Sequence, residues 1–422
     1  MTKKLRKNYG TRLTPVGIGA CLGGALLASS PGAWAQAETG NVARMDRLEK
    51  ENLELRKRLE SLESIAKQEG LIPSGPTNVL KALSDITISG FATASYFYDG
   101  SVPGDNSPNG YLWNRNHNSF TLNKVKLTLA SAPVERSSEK WDAGFRASLI
   151  FGEDAPIVNT GGERQGLEDL REAFVELNVP IGTGLNVKAG QLISLLNFES
   201  GDGGVANPNF SQGYQWFFTG NGPSAGVQLS YALSDMVSLT ARIQNGMFTG
   251  AVDNNGFKTF MGSIGITPDS KTALSFIGFG GREGSDSGQW LKGGSFIGSR
   301  QITDKLNFAT EIDYFNTDVP GGDSDWWSVG GWLWTDFTPT VGLALRGDYV
   351  NDGDGAGTGG LLGFPAGHPG MDLYSATLTL NWRPAPNIKV QPEIRYDHSS
   401  LDGAFDGQDS RLVFGAGVSY LF

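Results

Sequence analysis

The sequence predicts an all-β transmembrane barrel of about 16 antiparallel strands, preceded by a short N-terminal coiled-coil helix. Three observations lead to this fold class. Apolar and polar residues alternate in segment after segment from residue 86 to residue 422, as in strands with one water-excluded face. The last of these segments has an unbroken apolar face. The mean hydropathy is only −0.23 and no run of about 18 apolar residues follows the N-terminus, so no helical membrane span is predicted.

Residues 1–35 are predicted to be a secretory signal peptide. Five basic residues precede an apolar stretch from Val16 to Ala28, and Ala33-Trp34-Ala35 fits a signal-peptidase site. The mature chain would then begin at Gln36 and lose Cys21, the single cysteine, which excludes disulfides and thiol chemistry. Residues 18–21 faintly resemble a lipoprotein box, so lipidation at Cys21 is the alternative.

Residues 36–69 are predicted to form a periplasmic coiled-coil helix. Apolar residues recur at alternating three- and four-residue spacings, and one polar a position can fix the register. The seam consists of Met45, Leu48, Asn52, Leu55, Leu59 and Leu62. A homotrimer is the favoured assembly; a dimer, or a lone amphipathic helix on or inside the barrel, are the alternatives. Residues 70–85, rich in Gly and Pro, are the predicted linker.

The barrel is predicted to occupy residues 86–422, with even strand numbers of 14 or 18 as alternatives. Short connections such as 180–183 alternate with long ones such as 99–118. Long loops are therefore expected at one end, and both termini at the other, periplasmic end. The predicted strands are 86–98, 118–130, 141–152, 169–179, 184–194, 223–233, 236–247, 257–267, 271–281, 289–301, 304–316, 324–336, 340–351, 371–384, 387–398 and 410–422.

Charged residues on the face opposite the lipid are the candidate pore lining. A Lys or Arg at the bilayer midplane costs about 2–4 kcal/mol, so these side chains are expected to face water or a partner inside the barrel. Each either affects permeation or braces the wall as a structural ion pair; Arg146, Arg346 and Arg395 are the strongest candidates for permeation. The candidates are Lys124, Lys126, Arg146, Lys188, Arg242, Glu311, Asp313, Arg346, Asp348, Lys389, Glu393, Arg395 and Asp397.

The segment from Phe198 to Thr219 does not alternate, although it follows a strand. Long irregular segments of this kind are usually functional or mobile. One interpretation is an external loop over the rim or at a subunit contact. The other is a loop that folds into the pore and narrows it with the side chains of Asn207, Asn209, Gln212, Tyr214 and Trp216.

The closing strand runs from Arg411 to Phe422. A tilted strand of about 9–11 residues crosses a bilayer core, so its apolar face is expected to contact lipid. Tyr420 and Phe422 also resemble the C-terminal signal of bacterial outer-membrane barrels, which implies recognition by the barrel-assembly machinery. The alternative is the last strand of a soluble β-protein. The apolar positions are Leu412, Phe414, Ala416, Val418, Tyr420 and Phe422.

Composition and motifs exclude several function classes. The formal charge is −10, whereas nucleic-acid binding needs a basic footprint. The three histidines, His117, His368 and His398, are far apart, and no hydrolase or phosphate-loop motif occurs. Residues 351–355 are rich in oxygen ligands but lack EF-hand spacing, so a flexible external turn is favoured over a calcium site. We therefore predict no catalytic residues, no metal and no cofactor.

Several blocks resemble the OmpL-like β-barrel porins of Gram-negative bacteria. They include ITISGFATASYFYD from Ile86, NSFTLNKVKLTLASAP from Asn118 and NPNFSQGYQWFF from Asn207. The resemblance implies a diffusion channel in the outer membrane. Gln191 stands where the family pattern has a basic residue, which weakens the transfer of an anion-selective wall from the family to this chain.

The sequence thus predicts a bacterial outer-membrane porin, surrounded by lipid, for the passive diffusion of small hydrophilic solutes or ions along a charged lumen. The alternative is a structural anchor that tethers the membrane to the cell wall through its coiled coil. A hydrolase inside the barrel is a third class and would need a nucleophile and a base close together in the lumen. Solute identity and ion selectivity do not follow from the sequence.

Overall fold

The computed structural model describes Glu54, Lys57, Arg58, Ser61 and residues 86–422, except 113, 160–168, 248, 285–287, 320–321, 358–361, 363 and 365–369. Glu54, Lys57, Arg58 and Ser61 are helical, and Arg58 donates to the Glu54 carboxylate at 2.8 Å. The predicted signal peptide at 1–35, the coiled-coil seam at Met45, Leu48, Asn52, Leu55, Leu59 and Leu62, and the linker at 70–85 lie outside the described residues. These three assignments stay predictions.

Sixteen antiparallel strands form a closed barrel in the described part of the chain from residue 86 onwards. Each strand pairs with its neighbours in sequence, and β1 pairs with β16 to close the ring. The predicted strand number is confirmed, and each strand end lies within three residues of its predicted position. The strands are β1 (Thr87–Asp99), β2 (Ser119–Ala130), β3 (Asp142–Phe151), β4 (Leu170–Val179), β5 (Leu185–Leu192), β6 (Ser224–Ala232), β7 (Val237–Gln244), β8 (Thr259–Asp269), β9 (Thr272–Glu283), β10 (Gln289–Gln301), β11 (Leu306–Val319), β12 (Gly322–Asp336), β13 (Val341–Asp352), β14 (Met371–Ala385), β15 (Ile388–Ser399) and β16 (Ser410–Leu421).

Strand alternation sorts the side chains onto two faces of the barrel wall. On β16, Phe414 and Val418 are half exposed on the outer face, whereas Val413 and Ser419 are buried on the inner face. Directly opposed residues of paired strands lie on the same side of a sheet, so this sorting continues from strand to strand. The outer face is therefore largely apolar and the inner face largely polar.

Two β-bulges place additional polar side chains on the inner face. The pairing of β1 with β2 skips Asn123, so Asn123 and Lys124 are both buried inside. The pairing of β3 with β4 skips Arg171, so Arg171 and Glu172 both face the lumen. A bulge adds one residue to one strand and shifts the alternation beyond it. The inner wall thus gains Arg171, which strict alternation misses.

The connections differ between the two ends of the barrel. The short-turn end, which also holds Thr87 and Leu421, carries the connections 131–141, 180–184, 233–236, 270–271, 302–305, 337–340 and 386–387. The opposite, long-loop end carries 100–118, 152–169, 193–223, 245–258, 284–288, 320–321, 353–370 and 400–409, with helix α1 (Ala155–Val158) in the second of these. Among the described residues, every helix is too short or too polar to cross a membrane.

Candidate functional site

The connection between β5 and β6, residues 193–223, lies inside the barrel, and we call it the inner loop. It contains a 3-10 turn (Gly203–Val205) and helix α2 (Tyr214–Thr219). Its hydrogen bonds reach the inner faces of β11, β13 and β15. Of the candidate residues in this segment, Trp216 is partly exposed and Asn207, Asn209, Gln212 and Tyr214 are buried. Of the two placements left open by the sequence, the structure has the one inside the lumen.

Two carboxylates on β11 bind the two ends of the inner loop. Glu311 accepts a hydrogen bond from the backbone N–H of Phe198 at 2.7 Å. Asp313 accepts hydrogen bonds from the side-chain amide of Gln215 and, at 2.9 Å, from the hydroxyl of Thr219. Glu311 and Asp313 are two residues apart and face the same way. One strand therefore fixes both the start and the end of the loop.

Arg346 and Asp348 on β13 bind the middle of the inner loop. Arg346 Nη1 lies 2.9 Å from the carboxylate of Glu199, and Arg346 Nη2 donates to the Ser211 hydroxyl at 3.2 Å. Asp348 accepts the backbone N–H of Tyr214 at 2.7 Å and lies 3.2 Å from Arg346 Nε. The side chains of Arg346, Glu199 and Asp348 are fully buried. Buried charges need partners at hydrogen-bond distance, and here each has one.

β14 and β15 bind the tip of the inner loop through side chains that face the lumen. A carboxylate, a hydroxyl and two cationic side chains of these strands form the hydrogen bonds. Their partners in the loop are mostly backbone groups, so these bonds determine the path of the loop backbone. The bonds are Phe210 N–H to Glu393 (2.8 Å), Arg395 to the Gln212 carbonyl (2.6 Å), Lys389 to the Asn207 carbonyl (2.9 Å) and the Asn209 amide to the Thr379 hydroxyl (2.7 Å).

Apolar packing reinforces these polar contacts. Leu196 belongs to a buried cluster with Met261 and Phe315 on the β8–β12 side, and Phe210 belongs to a second cluster on the opposite side. At β16 the loop approaches so closely that a Cβ atom on Gly417 would lie 1.9 Å from the Phe210 ring. A glycine is therefore required there by contact with the loop, which the sequence pattern of β16 alone does not explain.

A cluster of aromatic and charged residues connects the inner loop to two other long loops. Around Arg411 it brings together Tyr214 of the inner loop, Tyr111 of loop 100–118 and Phe405 of loop 400–409. Arg411 on β16 pairs with Asp397 at 2.9 Å and with Asp99 at 3.1 Å, and its guanidinium lies 4.1 Å from the Tyr111 ring centroid. The Tyr111 hydroxyl donates to Asp397 at 2.7 Å. Burial raises the pKa of Tyr111, which keeps it a neutral donor. Asp397 is one of the predicted lumen residues, whereas Arg411, Asp99 and Tyr111 were not predicted, although alternation already put Arg411 on the inner face.

An open space remains between the inner loop and the wall formed by β2 to β7. This cavity has a volume of about 410 Å³. Ser194, Ser200 and Asp202 form its border on the loop side. Asp202 pairs with Lys126 of β2 at 2.7 Å, so the loop also contacts this wall. The charged side chains of the strands that line the cavity are Lys126, Arg146, Arg171, Glu172, Lys188 and Arg242.

The predicted lumen residues thus fall into two groups, although all of them lie on the inner face. Lys126, Arg146, Lys188 and Arg242 border the open cavity. The others contact loops: Lys124 lies 3.3 Å from Asp154, Lys389 borders a separate cavity of about 380 Å³ at the short-turn end, and seven lie beneath the inner loop or the aromatic cluster. Those seven are Glu311, Asp313, Arg346, Asp348, Glu393, Arg395 and Asp397.

The three strongest permeation candidates are separated by this division. The Arg146 side chain is 43% exposed and lines the cavity. Arg346 and Arg395, by contrast, are 0% and 2% exposed, because the inner loop covers them. The expectation that these two arginines face an open lumen therefore differs from the structure. Besides pairing with Asp348 and Asp397 on their own strands, they donate to Ser211 and to Gln212 of the inner loop.

The remaining residues that the sequence analysis named have the following contacts and exposure. Gln191 donates to the Leu170 carbonyl at 2.7 Å. Tyr420 and Phe422 are half exposed at the short-turn end. In residues 351–355, the carboxylate of Asp352 accepts backbone N–H groups of the following turn. Over the described part of the chain, no three His, Cys, Asp or Glu residues are grouped so that they could bind a metal ion.

Comparisons with known proteins give a family and a fold. Residues 85–422 match the model of a protein family described as "Putative beta-barrel porin-2, OmpL-like". A search of curated proteins finds no match. Three similar solved structures share the fold with this chain. OprB of Pseudomonas putida is 10% identical, with 82% of this chain and 97% of that chain covered and a TM-score of 0.54. In-vitro folded OmpT of Vibrio cholerae is 12% identical (80% and 97% covered, TM-score 0.53), and an anion-selective porin from Comamonas acidovorans is 10% identical (80% and 99% covered, TM-score 0.53); identities this low show the fold alone.

Proposed function

Because this chain belongs to the OmpL-like putative beta-barrel porin-2 family, we propose that small hydrophilic solutes and ions cross the outer membrane through its lumen by passive diffusion. The observation that carries the proposal is the cavity of about 410 Å³ between the inner loop and the β2–β7 wall. A barrel of about 16 strands is wide enough for an aqueous channel. The inner loop restricts that channel to one side and so acts as its constriction.

The inner loop is suited to this role because its position is determined by the wall. Backbone N–H groups of Phe198 and Tyr214 bond to carboxylates on two strands, and Glu199 pairs with Arg346. A loop attached at so many points keeps the width of the opening constant. The channel therefore excludes solutes by size without a moving gate.

Single-channel recording and solute uptake test the proposal together. The purified barrel is expected to give stable ohmic steps in planar bilayers and to admit small neutral sugars into liposomes up to a size limit. The matched variant replaces residues 198–219 by a short Gly-Ser linker. Phe198 and Thr219 both form hydrogen bonds to β11, so the two ends of the replaced segment are close enough to be joined by such a linker. Its conductance and its size limit should both rise.

A folded barrel without conductance would overturn the proposal. If the separate segment 36–78 then bound cell wall, the alternative function as a membrane anchor would be supported instead.

The proposal also includes the orientation of the barrel in the membrane, the assembly of the chains and the route of insertion. We assign the short-turn end to the periplasm, as in outer-membrane barrels with short periplasmic turns. The coiled coil would trimerise the chain there, and Tyr420 and Phe422 would engage the barrel-assembly machinery.

A further inference from the structure

The open part of the lumen carries more positive than negative side chains. Five basic residues border it, against the two carboxylates of Glu172 and Asp202. If Glu176, which lies 3.7 Å from Lys188, is included, basic side chains still outnumber acidic ones by five to three. The basic residues are Lys126, Arg146, Arg171, Lys188 and Arg242.

Arg242 has a positive charge that no carboxylate offsets. It is 5% exposed, and its guanidinium donates to the Gln228 side-chain oxygen at 2.6 Å and to the Ile193 carbonyl at 2.8 Å. It also donates to the Gln244 side-chain oxygen at 3.3 Å, and all three partners are neutral. Among the described residues no Asp or Glu forms an ion pair with Arg242, whereas Arg146 pairs with Glu172 at 2.7 Å. Part of the excess charge therefore lies on β7, directly beside the start of the inner loop.

We propose that this part of the lumen selects for anions and that small carboxylates and inorganic phosphate pass along its basic wall. The inference rests on the proposed function and concerns the same cavity. Guanidinium and ammonium groups bind carboxylate and phosphate oxygens by charge-assisted hydrogen bonds. Because the side chains of Arg146 and Lys188 are 43% and 28% exposed, they remain accessible to a passing solute.

The negative charge of the whole chain does not oppose this local effect. The formal charge is −10, but charges further away than the Debye length, about 8 Å at physiological ionic strength, are largely screened. Ions at the constriction therefore respond mainly to the side chains that border it. The short Ser194 and Ser200 side chains on the loop side add no charge there.

The ratio of chloride to potassium permeability, from the reversal potential in a KCl gradient, tests the inference. The native channel is expected to give a ratio above one. Arg146→Gln and Lys188→Gln should each lower the ratio several-fold, at most about 25-fold, because a unit charge about 4 Å away in water favours chloride about fivefold and disfavours potassium about fivefold. Asp202→Asn should raise it. The matched control is Arg300→Gln, because Arg300 is an exposed residue on the outer face near the short-turn end. It should leave the ratio unchanged.

A second readout uses the proposed solutes themselves. Inorganic phosphate or succinate, added to the bath, should lower the chloride current of the native channel more than that of Arg146→Gln. Ohmic channels with a ratio at or below one, or variants that leave the ratio unchanged, would overturn the anion preference and leave the porin function intact. A folded barrel that gives no channels would overturn both.

Discussion

The guanidinium of Arg346 on β13 and the carboxylate of Glu199 in the inner loop lie 2.9 Å apart, and neither side chain is exposed to solvent. The two residues are far apart in the sequence and meet because the loop folds back into the barrel. Loss of one partner from a buried pair costs about 3–5 kcal/mol, since the other charge is left without compensation. This pair therefore stabilises one position of the inner loop.

Arg346→Gln is expected to release the inner loop from β13. Glu199 and Asp348 would lose their shared cation, so the unfolding free energy should fall by about 3–5 kcal/mol and single-channel conductance should rise. The measurements are denaturant unfolding in detergent and bilayer recording. The control, Arg383→Gln, removes an exposed pair with Asp336 at 2.8 Å, and a change of about 0–1 kcal/mol is expected. Equal behaviour of the two variants would contradict this account of the loop.

Gly417→Val should displace the tip of the inner loop. A Cβ atom at this position would lie 1.9 Å from the Phe210 ring, so the loop tip that carries Phe210 must move away from β16. The folded variant should conduct more than the native channel. Gly347→Val is the matched control, because the nearest atom to a Cβ there is 4.0 Å away. A Gly417→Val channel with native conductance would show that the tip does not restrict the pore.

Tyr111→Phe should weaken the contact between loop 100–118 and the wall. The change removes the hydrogen bond to Asp397, and bonds to charged groups contribute about 1.5–3 kcal/mol. Thermal unfolding in detergent measures the loss, and limited proteolysis should cut the loop faster. Tyr349→Phe removes a bond of equal length, 2.7 Å to Asp372, from a more exposed site. Its expected cost is smaller, about 0.5 kcal/mol; a cost as large as that of Tyr111→Phe would argue against the cluster.

Because we propose that the coiled coil trimerises the chain, removal of residues 36–69 should leave the barrel folded and weaken the proposed trimer. The barrel closes through β1 and β16, both of which lie within residues 86–422. Circular dichroism should therefore still report strands, while trimers should dissociate at a lower SDS concentration. Asn52→Leu is a complementary variant, because a polar a position specifies oligomer state at a cost in stability. Trimers of undiminished SDS resistance in the shortened chain would contradict the role of the coiled coil.

The wall of the barrel could be predicted from the sequence because its signal is local. Period two assigns each residue to a face, so Arg146 and Lys188 could be placed inside from their neighbours alone. Arg171 could not, because a bulge interrupts the alternation at β4. Nothing in the local pattern marks a bulge before the partner strand is known.

The partners of the inner-face charges could not be predicted, since they depend on the path of the inner loop. Residues 193–223 have no hydrophobic period, and the loop contacts strands more than one hundred residues later in the chain. Arg346 and Arg146 therefore look equivalent in the sequence. In the structure one is covered by the loop and the other faces the open cavity.

Thiol accessibility tests most directly whether the open path follows the β2–β7 wall. The single cysteine, Cys21, lies within residues 1–35, so a chain refolded without them offers only an introduced thiol. Lys188→Cys borders the cavity, whereas Thr377→Cys on β14 replaces a residue that is 1% exposed beneath the inner loop. A bulky charged thiol reagent is expected to lower the single-channel conductance of Lys188→Cys stepwise and leave Thr377→Cys unchanged. Block of Thr377→Cys without block of Lys188→Cys would contradict the account.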